Sequence, residues 1–315
     1  MKRYSARKYR STDHDIWNEF VLKSKNGTFL FDRRYMEYHA DRFVDYSIMF
    51  FDEHDRLVGL MPATLYGETV TSHGGLTYGG VISNQEMKTA TMLNLFEVLL
   101  EQLRREGNIS LVYKPIPHIF HRIPAEEDLY ALFINNASLF RRDASSAIYL
   151  PERIKLAKGK REGVKKALRS GLSVSESCDF LTFFAIGKKV MRERHNLTPV
   201  HTSEEMALLG ERFPHSIRLF SSFAGERMLA GALVYIYGPS AHVQYMYNSD
   251  EGLELGALDV VLEHIINVVC AELRYLSFGV STEDDGRYLN QGLIHQKEMF
   301  GARSVVHDFY KLDLT

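Results

Sequence analysis

The sequence predicts an α/β protein, α+β in detail, built from two domains that each carry a mixed sheet flanked by helices. Two observations predict it. One order of elements occurs twice: short helices, a hairpin, a further strand, a long helix and a closing strand. Between the two copies runs a lysine- and arginine-rich stretch, Pro151 to Gly171. These features place a first domain at 1–150 and a second at 151–315, the second opening with a basic helix over 152–170.

In the first copy, Asp13 to Lys23 reads as a short helix carrying Trp17 and Phe20, with a second helix near Arg33 to Arg42. Tyr46 to Leu65 reads as two strands joined by the polar turn Asp52-Glu-His-Asp55. A short strand follows near Thr69 to Ser72, then the glycine-rich His73-Gly-Gly-Leu-Thr-Tyr-Gly-Gly80. From Glu86 to Glu106, Leu93, Phe96, Leu99, Leu100 and Leu103 recur on one helical face, and Gly107 stops the pattern. Ile109 to Tyr113 closes the copy as a strand ending at Lys114-Pro-Ile-Pro.

In the second copy, helical patterns occur at Asp179 to Arg194 and Ser203 to Arg212. A hairpin spans Ile217 to Ile236 with Gly225-Glu226 in its turn. A strand from Ala241 to Tyr247, a helix from Gly256 to Glu272 and a strand from Arg274 to Gly279 complete the repeat. A last strand, Val305 to Leu314, is expected to pair back onto the first domain. The basic stretch between the copies suits either a solvated helix or a clamp for anions.

A hydrophobic content of 45% supports ordinary globular cores, and a formal charge of −2 gives no global attraction to nucleic acid, so no DNA partner is expected. Cys178 and Cys270 lie in apolar surroundings and are expected to be buried free thiols, a usage that fits a reducing cytoplasm. No secretory leader and no apolar run of bilayer-spanning length is read from the sequence, so a cytoplasmic protein is expected.

Chemistry concentrates in the last quarter. The strand ending at Val280 gives way to Ser281, Thr282, Glu283, Asp284 and Asp285. Asn290 and Gln291 follow, then a helix presenting Gln296, Lys297 and Glu298. Polar groups just past the carboxyl end of a core strand are where α/β sheets place ligands. Glu283 is a candidate base if partial burial raises its pKa. Ser281 suits capping or substrate contact, and Asn290 suits a hydrogen bond to a sugar or peptide, or a turn. Strand alternation puts His242 and Gln244 on one face and Tyr245 and Tyr247 on the other. In the first half, His73 and Lys114 occupy the equivalent positions beyond strand ends. His195 and His201 flank a loop and are further base candidates. Metal-ligand spacings are absent, as is a G-x-S-x-G nucleophile motif.

Three segments resemble tandem GNAT-fold acyltransferases of the branch related to the Fem peptidyltransferases. They are the basic run Lys160 to Val174; Glu226-Arg-Met-Leu-Ala-Gly-Ala-Leu with His242-Val-Gln-Tyr-Met-Tyr-Asn-Ser; and Phe278-Gly-Val-Ser with Gln296-Lys-Glu-Met-Phe-Gly-Ala. The resemblance covers most of residues 15 to 310 and implies two GNAT-like domains. It implies acyl transfer from acyl-CoA to an amine or hydroxyl of a small or lipid-linked polar acceptor, such as a cell-envelope sugar or peptidoglycan precursor. Glu283, His242 and Tyr245 become the catalytic candidates. Lys297, Gln244, Ser281, Asn290, Gln296, Lys114 and His73 become the substrate-binding candidates. By the same resemblance, Lys297 contacts the acceptor's anionic group or supports an oxyanion, so Lys297→Ala is expected to lower turnover without lowering the melting temperature. Gly256 and Ala257 match the small-residue end of the loop that holds a CoA pyrophosphate at a helix start. Glu254 there, with no basic residue, departs from that pattern. The alternatives are aminoacyl-tRNA as the donor, less favoured on charge, and a non-catalytic binding protein that keeps the fold.

Overall fold

The computed structural model describes residues 4–195 and 199–315, with side chains 193–195 outside the description. Two compact units emerge. The first holds Met1–Ala144, Thr282–Tyr288 and Val306–Thr315; the second holds Ser145–Ser281 and Leu289–Val305.

The first unit contains β1 (Ser5–Lys8), α1 (His14–Lys23), α2 (Arg33–Met36), β2 (Val44–Asp45), β3 (Ile48–Phe51) and β4 (Leu57–Met61). Then come β5 (Thr64–Tyr66), β6 (Thr69–Thr71), β7 (Ile82–Ser83), α3 (Thr89–Arg105), β8 (Ser110–Tyr113) and α4 (Glu127–Ile134). The helical stripe in α3 buries Met92, Leu95, Phe96, Leu99, Leu100 and Leu103. Each such side chain is worth about 1.5–3 kcal/mol when fully buried. Arg104 and Arg105 in its last turn complement the helix dipole. Gly107, at φ 81°, supplies the left-handed residue that ends it.

The strand β9 (Ser138–Tyr149) enters the other unit at Ser145 and leads to α5 (Lys158–Arg169), β10 (Ser173–Ser177), α6 (Phe180–His195) and α7 (Ser203–Arg212). The hairpin β11 (Ile217–Ala224) and β12 (Arg227–Tyr237) precedes β13 (Ser240–Asn248), α8 (Asp250–Leu255), α9 (Ala257–His264) and β14 (Tyr275–Val280). Two short strands, β15 (Thr282–Glu283), which belongs to the first unit, and β16 (Tyr288–Leu289), precede α10 (Gln291–Glu298) of the second, and β17 (Arg303–Asp313) lies in the first unit from Val306 onward. Thr202 and Glu205 form a reciprocal capping box that starts α7.

Within the first unit, β1-β3-β4-β7 form one sheet and β17-β8-β6-β5-β2 run in order in another. Tyr310 to Asp313 pair antiparallel with Tyr113 to Ser110, so the last strand returns to the first half of the chain as anticipated. In the second unit the order is β10-β11-β12-β13-β14-β9. Its β13–β14 pair is parallel, and its other neighbours are antiparallel. The expected α/β architecture of two mixed-sheet units is borne out.

Three expectations need correction. The helix read over Arg33 to Arg42 is only α2, followed by a 3-10 turn at Glu37–His39. The helix read over Gly256 to Glu272 does start there, as α9 at Ala257, but α8 precedes it across the left-handed Gly256 (φ 77°), and beyond His264 it passes into a π-helix over Ile265–Val269. Cys270 is buried, but Cys178 is exposed.

Candidate functional site

The parallel pairing of β13 and β14 is short. It joins Ser240 to Tyr275, Ala241 to Leu276 and His242 to Ser277, and stops there. Both strands continue, β13 to Asn248 and β14 to Val280, so they part from His242 and Ser277 onward. A gap between two core strands exposes backbone groups that the ladder would otherwise satisfy. His242 and Ser277 mark its apex.

A polar network surrounds that apex. His242 Nδ1 lies 3.2 Å from Ser277 Oγ, and Gly279 N–H donates to the same hydroxyl at 3.3 Å. Gly279 has φ 71°, and a β-carbon there would come within 3.1 Å of the His242 ring, so only glycine fits without strain. The register of β14 against β9 shifts between Ser277 and Gly279, leaving Phe278 as a bulge. Ser145 and Ser146 pair with Val280 and Gly279, and their buried hydroxyls have no hydrogen-bond partner.

Lys297 locks the end of β14 from the side of α10. Its ammonium donates to Gly279 O (2.9 Å), Val280 O (2.7 Å) and Ser281 Oγ (2.8 Å). Only 3% of the residue is exposed, and burial lowers its pKa to about 8. Lys297 and Ser281 are therefore brought together, but all three lysine protons already have acceptors. The geometry is that of a group shaping the strand end rather than one reaching into solvent.

A second bulge changes which side chains share a face. Leu233 pairs with Tyr245 but Val234 with Val243, so Gln244 is an extra residue in β13. Ala241 and Val243 enter the core around α9, and Met246 packs against that same core. Tyr245 and Tyr247 stack on the other side, against Phe184 and Phe183 of α6. Simple alternation had set Tyr245 opposite His242. The bulge instead returns Tyr245 and Tyr247 to the His242 face. There the Tyr245 hydroxyl lies 2.6 Å from His201 Nδ1, and burial raises its pKa.

The helix start matched to a pyrophosphate loop is covered. Gly256 N–H bonds to Gly252 O, continuing α8 into α9, and Ala257 is 0% exposed. A β-carbon on Gly256 would come within 2.8 Å of the Gly163 carbonyl carbon of α5. Lys160 of α5 donates to Asp259 Oδ1 of α9 at 2.8 Å. Gly256 and Ala257 therefore face a packed helix, and the N–H groups expected to cradle phosphate are not presented to solvent. Outward, α5 exposes Lys158, Arg161, Lys165, Lys166 and Arg169, with Glu162 the one acid among them.

Other candidates fall elsewhere. Glu283 is exposed in β15, so the partial burial expected of a base is missing. The segment that carries it, 282–288, belongs to the first unit. Asn290 caps α10, its Oδ1 accepting from Leu293 N–H at 3.0 Å. Gln296 is half-buried on α10. Lys114 and His73 are buried in the first unit. The side chain of His195 lies outside the described residues. Sequence reasoning missed Ser277, Ser145 and Ser146. Ser277 is signalled by a lone hydroxyl in the apolar β14, whereas Ser145 and Ser146 follow the charged Arg141-Arg142-Asp143 of β9 and carry no local signal of burial.

No protein-family model matches the chain, and no curated protein sequence does either. Solved structures do. FemX matches with a TM-score of 0.69 at 11% identity, over 98% of this chain and 97% of that one. The C-terminal domain of a putative lysylphosphatidylglycerol synthetase from Agrobacterium fabrum gives 0.63 at 11% identity, over 96% and 92%. L-PGS from Bacillus licheniformis gives 0.61 at 11% identity, over 98% and 93%. At this identity the likeness is one of fold, and it extends over nearly the whole chain.

Proposed function

We propose that this protein is a transferase that moves an acyl-type group from an activated ester or thioester to an amine or hydroxyl of a polar acceptor. The reaction would be centred on the parting of β13 and β14. The observation that carries the reading is the opening at His242 and Ser277, with the Gln244 bulge beside it. A donor carbonyl laid in that opening meets strand N–H groups outside the one-to-one ladder, the arrangement that stabilises a developing oxyanion. His242, oriented through Nδ1 by Ser277, takes the proton from the attacking nucleophile. Tyr245, coupled to His201, returns a proton to the leaving group. Lys297 fixes the carbonyls of Gly279 and Val280 and so sets the shape of one wall.

For the donor, the geometry favours aminoacyl-tRNA over acyl-CoA in the second unit. Helix α5 occupies the place where a CoA pyrophosphate would need the start of α9, and it turns a row of cations outward. Such a row suits a phosphodiester backbone. One fold neighbour is named a putative lysylphosphatidylglycerol synthetase, a name in keeping with an aminoacyl group as the one transferred. One observation favours acyl-CoA: a cavity of about 350 Å³ beside the start of α3, lined by Arg56, Asn84, Lys88 and Thr91 among others. Asp52 and Glu86 also line it, and they oppose a phosphate. The acceptor is proposed to be a small or lipid-linked polar molecule of the cell envelope. No described helix is long and apolar enough to cross a membrane.

Charge reversal tests the donor. Lys158→Glu with Arg161→Glu changes two exposed side chains and should leave the melting temperature unchanged. Filter binding of aminoacyl-tRNA should weaken about tenfold at low salt, with a shallower salt dependence. Unaltered RNA affinity in this variant would count against the donor assignment.

A further inference from the structure

Four groups able to carry positive charge are buried together in the first unit: Arg33 at 1% exposure, His39 and His73 at 4%, and Lys114 at 5%. The His39 and His73 rings are 6.0 Å apart. Burial pushes the His73 pKa down to about 3, and the charges of Lys114, His39 and Arg33 push the same way. Lys114 donates to Leu76 O within the 73–80 loop. Burial lowers its pKa to about 7, helped by Arg141.

Among the described residues, acceptors are scarce around Arg33, His73 and Lys114. Asp45 bonds Arg33 Nη1 at 2.5 Å, and Arg141 is held by Asp143 at 2.8 Å and Asp285 at 2.6 Å. Among the described residues no carboxylate pairs with Lys114. Arg33 Nε and Nη2 and His73 Nδ1 are buried without any hydrogen-bond partner. The Arg33 guanidinium is fixed between the rings of Tyr9, at 3.3 Å, and Trp17, at 4.1 Å. Buried polar atoms are ordinarily satisfied, and buried cations are ordinarily paired. Here two Arg33 donors and a His73 ring nitrogen lack partners and Lys114 lacks a carboxylate among the described residues, so the group that would complete the cluster is an anion. Solvent is near, because Gly74, Gly75 and Thr77 of the same loop are exposed. A β-carbon on Gly75 would come within 3.0 Å of His39 Nε2, so the loop backbone closes directly over the cluster.

We propose that Lys114, His73 and Arg33 form a binding site for an anionic group, a phosphate or carboxylate, carried by the acceptor. Assigning that anion to the acceptor rests on the transfer reading; the binding itself does not. Because the free site holds little charge on His73 and only part of a charge on Lys114 near neutrality, binding should take up protons. Affinity should fall as pH rises above about 7, where free Lys114 loses its proton. The fixed charges facing the site are those of Arg33, Arg141, Asp45, Glu37, Asp143 and Asp285, and the His39 imidazole is the other neighbouring titratable group.

Calorimetric titration of the full chain with inorganic phosphate, pyrophosphate and acetate, in Tris and in PIPES at pH 7.5, tests this. The expected result is saturable binding of at least one anion, with a buffer-dependent heat that reports proton uptake. Preference for phosphates or for acetate identifies the source. Lys114→Met should weaken binding at least tenfold and remove the proton uptake, with a melting temperature equal to or above that of the parent. His73→Asn, which tolerates the φ of 60° at that position, should weaken binding too, and serves if the lysine variant does not fold. Absence of binding with all three anions overturns the site, as does parental affinity in both variants. Loss of transfer with anion binding intact would count against the transfer reading alone. Transfer without anion binding would count against this site alone.

Discussion

Lys297→Ala is expected to lower the unfolding free energy by about 2–4 kcal/mol and to abolish transfer. Two terms oppose each other. Removing the lysine relieves a buried charge whose pKa is pushed from 10.5 to about 8, a gain of roughly 3 kcal/mol at neutral pH by linkage. It also deletes three charge-assisted hydrogen bonds made by a side chain that is only 3% exposed, to the carbonyls of Gly279 and Val280 and the hydroxyl of Ser281. Charge-assisted bonds are worth about 1.5–3 kcal/mol each, so the loss outweighs the gain. The sequence alone suggested that this substitution would spare stability; the closed partner set argues otherwise. The pH sign follows from the lowered pKa. Between about pH 8 and 10.5 the unfolded chain binds the proton and the folded chain does not, so this residue's contribution to stability improves as pH rises through that window. Denaturant melts of parent and Lys297→Met should therefore diverge across that window, the parent gaining stability relative to the variant as pH rises from about 8 to 10.5. Arginine at 297 should not rescue, because its planar fork does not match three converging oxygens.

Gly256→Val is expected to cost about 2–6 kcal/mol. A left-handed residue with a branched β-carbon costs about 1–3 kcal/mol on its own. The added atoms also enter the Gly163 backbone, which no rotamer change can clear. Overpacking of that kind adds about 1–3 kcal/mol. Chemical denaturation of the variant checks the sum. A cost under 1 kcal/mol would mean that α5 does not rest on the α8–α9 turn, and the case against a CoA pyrophosphate there would fall with it.

Much of the fold could be read because its signals are local. The α3 stripe, the β11–β12 turn at Gly225 and the Thr202–Glu205 box each depend on residues within one element. β9 was missed because Ser145 and Ser146 are polar residues at 0% exposure, inverting the usual pattern for a buried strand. Site geometry was less legible for the same reason. His242 and Lys297 were picked out, but a bulge at Gln244 decides which tyrosine shares a face with His242, and no periodicity announces an inserted residue. Gly256 does stand at a helix start, but the glycine is needed there for a left-handed break between α8 and α9 and for close contact with α5. Glu283 carried the right functional group in the right place in the chain. Its exposure removes the environment that a base requires.

The most direct test of the transfer account is a donor competition. The protein is incubated with charged tRNA, acetyl-CoA and an extract of envelope precursors, and loss of aminoacyl ester and release of CoA thiol are followed together. The account predicts protein-dependent loss of aminoacyl ester beyond spontaneous hydrolysis, diminished by Lys297→Ala, with no thiol released. Thiol release with the aminoacyl ester intact, or no protein-dependent loss of either donor, would contradict it.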